Sequence, residues 1–117
     1  MFIFAQIIPY DTETHNYWSS IIKVRQPLRK QYFDKQMWIR KIEENGFRLI
    51  ESSEVVTRSS LNDWIYKYNI HDQDRISLMK DLLKNAPPEY KEKYNIECID
   101  NDITYNSNWL IAKFVSV

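Results

Sequence analysis

The sequence predicts an α/β protein with a sheet of about four strands, in which parallel and antiparallel pairs are mixed. Three observations lead to this prediction. The chain opens on a short, continuously apolar run, which is typical of a strand covered on both faces in a parallel sheet. Helix and strand signals alternate through the middle of the chain. The end reads as strand, turn and strand, so the predicted order is β-α-α-β-α-α-β-β, with one further short helix before the last two strands.

The first strand spans Phe2–Ile8 (FIFAQII) and stops at Pro9, which lacks the N–H that a strand ladder needs. A polar and aromatic loop follows it. Within this region we predict a short helix around His15 to Val24 and a turn at Gln26-Pro27. Because only Met1 precedes a strand of central character, we expect that an upstream neighbour of this strand has been lost.

The next helix is signalled at both of its ends. Asp34 is a good N-cap, and Phe33 before it can pack on Trp38 as a hydrophobic staple. Gly46 stands where the left-handed residue after a helix belongs, with Phe47 placed to contact the last turn.

The remaining elements follow from caps, proline breaks and apolar periodicity. They are a strand at Phe47–Val56, helices at Ser60–Tyr68 and Gln73–Lys84, a short helix from Pro87-Pro88 to Tyr94, and strands at Ile96–Tyr105 and Trp109–Val117 around a break at Asn106-Ser107-Asn108.

The composition excludes several classes of protein. Sixteen basic residues balance sixteen acidic ones, so the basic excess of a nucleic-acid-binding protein is missing. One cysteine and two distant histidines argue against a zinc site. The lone Cys98 fits a reducing cytoplasm. The opening apolar run lacks the features of a signal peptide and is too short to cross a bilayer, so we expect a cytoplasmic protein without a membrane partner.

The chain contains a single glycine, Gly46. Loops that bind phosphates or nucleotides need glycines where the backbone takes positive φ or approaches the ligand closely. The sequence therefore predicts no cofactor-binding loop in this chain.

Taken in order, several short segments resemble a known family, the class I S-adenosylmethionine-dependent methyltransferases of the ubiquinone/menaquinone-biosynthesis type (type 11). The helix ending at Gly46-Phe47 resembles that family's signature before its sixth strand. The segments that carry the resemblance are MFIFAQIIP, Tyr17-Trp18, Glu43-Glu44-Asn45-Gly46-Phe47, Arg58-Ser59-Ser60-Leu61-Asn62-Asp63-Trp64 and Trp109-Leu110-Ile111-Ala112-Lys113-Phe114.

The resemblance implies a partial Rossmann-like sheet. Residues 1–117 would be a single domain that corresponds to the C-terminal part of a methyltransferase, from the fifth strand onward. In the complete family, S-adenosylmethionine is bound by a glycine-rich loop and an acidic residue that lie upstream of this part. We therefore expect that this chain alone binds no cofactor and is inactive in isolation.

The resemblance also places the acceptor, the molecule that receives the methyl group, near the carboxyl ends of the strands. His15 is the candidate general base there. The competing interpretations are packing for the aromatic residues, an uninvolved surface histidine for His15, and ordinary ion pairing for the arginines. The candidate acceptor-binding residues are Gln6, Tyr10, Tyr17, Trp18, Arg25, Arg58 and Trp64.

Three functions remain open from sequence alone. The chain could be the acceptor side of a truncated methyltransferase whose partner is the missing N-terminal half. It could be a non-catalytic interaction module that forms a homo-oligomer, or a module that binds a small molecule. In the family arrangement the closing strand lies between the first strand and Phe47–Val56. Phe2–Ile8 would then form a bare apolar border, which predicts a dimer built around it.

Overall fold

The computed structural model describes all 117 residues. The elements are β1 Phe2–Ile8, α1 His15–Arg25, α2 Lys35–Glu44, β2 Phe47–Ser60, α3 Leu61–Lys67, α4 Gln73–Lys84, α5 Pro88–Lys93, β3 Glu97–Ile99 and β4 Asp102–Ser116. Most predicted elements are present, and helices α1, α2 and α4 begin and end within a residue or two of the expected positions.

The four strands form one sheet around β4. Its neighbours are β1 on one edge and β2 on the other, and this is the expected order. The short β3 pairs with the start of β4. The expected mixture of parallel and antiparallel pairs is wrong for this chain, because every pair is antiparallel. The strands β1 and β2 run parallel to one another, but β4 separates them and runs the other way.

The break predicted at Asn106-Ser107-Asn108 is also wrong. These residues lie inside β4, and the turn falls earlier, at Asp100-Asn101. Both turn residues have positive φ, 47° and 65°. That pair of conformations is what a two-residue hairpin of type I′ requires, and Asp and Asn tolerate it better than most residues.

The polar residues in β4 mark a change of the buried face rather than an interruption of the strand. From Ile103 to Ser107 the odd-numbered residues of β4 are buried, and from Asn108 to Phe114 the even-numbered residues are buried. Because side chains alternate across a strand, the two halves bury opposite faces of the sheet. We call the face of Tyr105 and Trp109 the first face and the face of Leu110 and Phe114 the second face.

Each face has its own core. The helices α1, α3, α4 and α5 cover the first face at the end near Tyr105, where Trp18, Met79 and Tyr94 are buried. Helix α2 covers the second face at the other end. Its residues Trp38, Ile39 and Ile42 pack against a cluster that contains Ile8, Leu110, Ala112 and Phe114.

The predicted helix caps explain where the helices begin and end. Asp34 accepts a hydrogen bond from the amide of Met37 at 2.9 Å, and Phe33 packs edge-on to Trp38 with ring centroids 5.1 Å apart. Ser60 caps α3 in the same way through the amide of Asp63. Gly46 ends α2 with φ of +90°. These caps confirm the local signals in the sequence.

Over its first half, the strand β1 is covered on one face and exposed on the other. Phe2 and Phe4 pack under α2 on the second face. On the first face Ala5 is exposed, and Ile3 is 62% exposed. The expectation of a strand covered on both faces is therefore wrong within this chain, because no helix of the chain extends over this end of the first face.

Candidate functional site

A polar cluster centred on Arg25 lies where α1 meets β2 and β4. Nη1 of Arg25 donates to the hydroxyls of Tyr105 at 3.2 Å and Ser107 at 3.1 Å, with Ser59 at 3.5 Å. The hydroxyls of Ser59 and Ser107 are 2.7 Å apart. We call these four residues the Arg25 cluster. Burial raises the pKa of the Tyr105 hydroxyl, and Arg25 opposes this only in part.

The backbone that carries Arg25 is held in place by two neighbours. Its carbonyl, at the last turn of α1, accepts from Trp64 Nε1 at 3.3 Å and from Arg75 Nη2 at 3.2 Å. Trp64 is 4% exposed, and the Arg75 guanidinium lies 5.0 Å from its ring centroid. Carbonyls at the end of a helix lack helical partners, so these donors also stabilise α1.

The start of α3 is fixed against β4 by Asp102. Its carboxylate accepts from the Ser60 hydroxyl and from the amide of Asn62 at 3.0 Å. Burial alone would raise the pKa of Asp102, but these hydrogen bonds outweigh it and lower the pKa. This contact sets the position of Trp64 relative to the sheet.

A cavity of about 260 Å³ opens beside the Arg25 cluster. Its lining contains three of the predicted acceptor-binding residues, Arg25, Arg58 and Trp64, together with Lys67 and Tyr68. The structure therefore brings together residues that are far apart in sequence. Most of the lining is polar, and cationic side chains outnumber acidic ones.

The guanidinium of Arg58 is held by several acceptors. Nη1 donates to the Asn95 carbonyl at 2.7 Å and to Asn106 Oδ1 at 2.9 Å, and Nη2 donates to Thr104 Oγ1 at 2.7 Å. Glu97 lies 3.5 Å away and makes an exposed ion pair with it. These contacts join β2 to β4 and favour the ion-pairing interpretation of this residue.

The Arg25 cluster is suited to binding rather than to proton transfer. Serine and tyrosine hydroxyls surround the Arg25 guanidinium, which has donors only, and no imidazole or carboxylate lies among the four residues. A general base needs a group that can take up a proton near neutral pH. The cluster therefore offers donors to a ligand and no catalytic base.

Gln6 lies near the carboxyl end of β1 and does not line this cavity. Its side-chain oxygen accepts from the amide of Ile7 at 3.2 Å, while the Ile7 carbonyl accepts from Arg29 Nη2 at 2.8 Å. In an antiparallel pair, the N–H and C=O groups of successive residues point alternately toward the partner strand and away from it. The N–H and C=O of Ile7 are bonded to side chains, so they point away from β4, toward the free edge of β1. Gln6 and Arg29 thus close the free edge of β1 at Ile7.

Tyr10 and Tyr17 belong to an aromatic layer against α5. The amide of Tyr10 donates to the Tyr94 hydroxyl at 2.9 Å, and Tyr17 donates to the Leu82 carbonyl. Tyr90 and Tyr94 stack with ring centroids 4.0 Å apart. Burial raises the pKa of Tyr94 to about 12. These contacts match the packing interpretation of both predicted residues.

His15 and Trp18 lie on α1, facing the segment after it. Nε2 of His15 contacts the carbonyl of Tyr32. Trp18 is 3% exposed, and the Arg29 guanidinium lies 5.2 Å from its ring centroid. Neither residue lines the cavity beside Arg25, and the catalytic role of His15 stays a prediction.

Sequence reasoning missed several residues around Arg25. The sequence predicts Ser59 just after a strand, Tyr105 at the end of one and Ser107 in a break, and only the register of β2 and β4 places them together. No signal in the sequence singles out Arg29 or Arg75.

The structure contains no group of three metal-binding side chains close enough to hold an ion. Separately, all five helices fall short of the length and apolar character needed to cross a membrane.

Two solved structures resemble the whole chain. A Bacillus halodurans protein, provisionally described as a methyltransferase, matches with a TM-score of 0.81 and 21% identity, over 96% of this chain and 53% of that one. The YcgJ protein of Bacillus subtilis matches with a TM-score of 0.65 and 15% identity, over 96% and 50%. The chain thus spans about half the length of each. No protein-family model and no curated protein sequence matches it.

At these identities the likeness establishes the fold alone. The chain has a methyltransferase-like α/β fold with four antiparallel strands and five helices.

Proposed function

We propose that these 117 residues form the acceptor-facing side of an S-adenosylmethionine-dependent methyltransferase of the ubiquinone/menaquinone type, and that they are inactive alone. One observation carries the proposal. Nearly the whole chain, 96%, matches about half of the Bacillus halodurans protein. In this proposal, the chain corresponds to the C-terminal half of that protein.

The single glycine supports the proposal that the chain is inactive alone. Gly46 ends α2, takes φ of +90° and has open space around it. It therefore serves as a helix stop. A donor-binding loop needs further glycines where the backbone approaches the ligand. In this proposal S-adenosylmethionine is held by structure that residues 1–117 do not provide.

The cavity beside the Arg25 cluster supports the proposal that the chain forms the acceptor-facing side. Arg25, Arg58 and Trp64 line it together, and its volume of about 260 Å³ suits a small molecule or part of one. Lone Cys98 is exposed and unpaired, which agrees with a cytoplasmic location. The acceptor in this proposal is a small molecule.

A chimaera tests the proposal. The part of the Bacillus halodurans protein outside the match is fused ahead of Met1, and S-adenosylmethionine binding is measured by calorimetry. We expect one cooperative unfolding transition and donor binding by the chimaera. A chimaera that binds no donor, or that unfolds as two independent parts, contradicts the proposal. The same fusion placed after Val117 is the control and should not bind the donor.

A second function, a non-catalytic interaction module, is favoured by one observation. Ile3 is 62% exposed beside exposed Ala5 on a strand whose outer edge is unpaired at this end. Exposed apolar strands at a sheet edge recruit other strands. In this alternative the chain forms a homodimer through β1.

A further inference from the structure

A second cavity, of about 370 Å³, lies on the other side of Arg25. It is formed by the turn after α1 together with α4 and the end of α3. Three arginines line it, and the lining contains no acidic residue. We call this cavity the arginine cleft, and its lining residues used below are Arg25, Pro27, Leu28, Arg29, Tyr68 and Arg75.

The three guanidinium groups have no carboxylate partner. The ion pairs of the chain join Arg58 to Glu97, Lys93 to Asp11 and Lys113 to Glu51, and none involves the arginine cleft. The nearby Arg58 is a useful contrast, because it has both neutral acceptors and a carboxylate. The arginine cleft therefore holds three positive charges without an ion pair, and the acidic residues Asp72 and Asp74 line an adjoining cavity rather than the cleft itself.

Neutral acceptors fix the orientation of each guanidinium. Arg75 donates from Nε to the Val24 carbonyl at 2.9 Å and from Nη2 to the Arg25 carbonyl at 3.2 Å. Arg29 donates to the carbonyls of Gln31 at 2.7 Å and Ile7 at 2.8 Å, and to Gln26 Oε1 at 3.3 Å. Arg25 is held through Nη1 by the Arg25 cluster.

Each group keeps donors that have no partner. Nη1 of Arg75 makes no hydrogen bond, and neither do Nε and Nη2 of Arg25. Arg29 uses three of its five N–H groups. Burial lowers the pKa of Arg29 to about 10, so the charge is partly desolvated. Oriented and partly desolvated donors of this kind match a planar carboxylate or a phosphate.

The mouth of the arginine cleft is apolar and aromatic. Leu28 is 93% exposed and Tyr68 is 61% exposed, and Pro27 lies beside them. Large exposed apolar side chains next to a charged cleft suit a ligand with an apolar body and an anionic end. A free inorganic anion would leave these side chains unused.

We propose that the arginine cleft binds a small organic anion, a carboxylate or a phosphate monoester carried on an aromatic or apolar body. The guanidinium groups hold the anionic end, and Pro27, Leu28 and Tyr68 contact the body. The site is argued from residues of this chain alone and goes beyond the proposed function. It stands whether or not the chain takes part in methyl transfer.

Nuclear magnetic resonance on the isotope-labelled chain tests this site. Benzoate and phenyl phosphate are titrated separately, and the Nε–H signals of the arginines are followed. We expect saturable shifts at Arg25, Arg29 and Arg75 with a Kd below about 1 mM for at least one of the two. Benzamide, the neutral isostere of benzoate, should leave the signals unmoved. The preferred anion distinguishes a carboxylate site from a phosphate site.

Two variants distinguish binding in the arginine cleft from an effect of the protein's overall charge. Arg75→Gln should weaken binding at least about tenfold. Arg40→Gln removes the same charge from exposed Arg40 on α2 and should leave binding unchanged. Equal weakening by both variants, equal shifts with benzamide, or no shift with either anion at about 10 mM would overturn the proposal. The comparison of benzoate with benzamide needs no variant and decides the matter if Arg75→Gln does not fold.

Discussion

At the scale of single residues, the ends of α2 and the start of α3 are fixed by contacts and backbone conformations that act locally. Asp34, Ser60 and Gly46 act on the backbone within a few residues, so their roles follow from spacing alone. Arg29 and Arg75 could not be read in this way. Their partners are the carbonyls of Ile7 and Val24, which come near only after the chain has folded.

Gly46 gives the most direct prediction at this scale. Its φ of +90° is unfavourable for a residue with Cβ, and an added Cβ would meet no atom within 4 Å. We expect Gly46→Ala to lower the free energy of unfolding by about 1 kcal/mol, through backbone strain alone. Urea denaturation measures this change.

Gly46→Asn is the matched comparison, because Asn accepts the left-handed conformation more readily than Ala. It should cost less stability than Gly46→Ala. Equal stability of the Ala variant and the parent would show that the strain assigned to this residue is absent.

At the scale of elements, the strands were harder to predict than the helices. The polar run at Asn106-Ser107-Asn108 resembles a turn, yet it lies where β4 changes its buried face. Ser107 and Asn108 tolerate burial because their polar groups have partners. Ser107 accepts from Arg25, and the amide of Asn108 donates to Glu54 Oε1 at 2.9 Å. Such partners come from other elements, so local sequence cannot reveal them. For the same reason β2 extends to Ser60, four residues beyond Val56.

The candidate site was predictable in part. Arg25, Arg58 and Trp64 do line one cavity, whereas Tyr10, Tyr17 and Trp18 lie in the packed aromatic and apolar layers. The antiparallel register of β2 and β4 decides which residues face Arg25. Register depends on which faces of the two strands are buried and on the turns between elements, so local sequence alone does not reveal it.

The free edge of β1 gives a prediction for this element. Gln6 and Arg29 occupy the edge at Ile7, so the unpaired stretch is the one around Ile3 and Ala5. Two copies could pair antiparallel there across a twofold axis. We expect a homodimer or larger assembly by light scattering at about 50 µM, a concentration that would fill a micromolar interface.

Ile3→Lys places a charge in the middle of that edge and should dissociate the assembly. Leu78→Lys changes an equally apolar residue, 50% exposed on α4, and should leave the assembly intact. A monomeric parent protein at this concentration, or dissociation by both variants, would contradict an interface at β1.

At the scale of the whole molecule, the chain is less compact than an ordinary domain of its length. Its radius of gyration is 15.5 Å, with extents of 49, 30 and 20 Å. A compact domain of this length has a radius of gyration of about 13 Å. The two cores lie on opposite faces and at opposite ends of the sheet, which leaves part of each face bare. This shape agrees with the proposal that the chain provides one side of a larger fold.

In the proposed function, residues 1–117 have a methyltransferase-like fold and lack the donor site. Calorimetric titration of the chain alone with S-adenosylmethionine is the decisive test. We predict no saturable heat and a Kd weaker than about 1 mM, because Gly46 is a helix stop and the chain has no other glycine. A Kd near 1 µM corresponds to about −8 kcal/mol, which requires a built binding site. That result would contradict the claim.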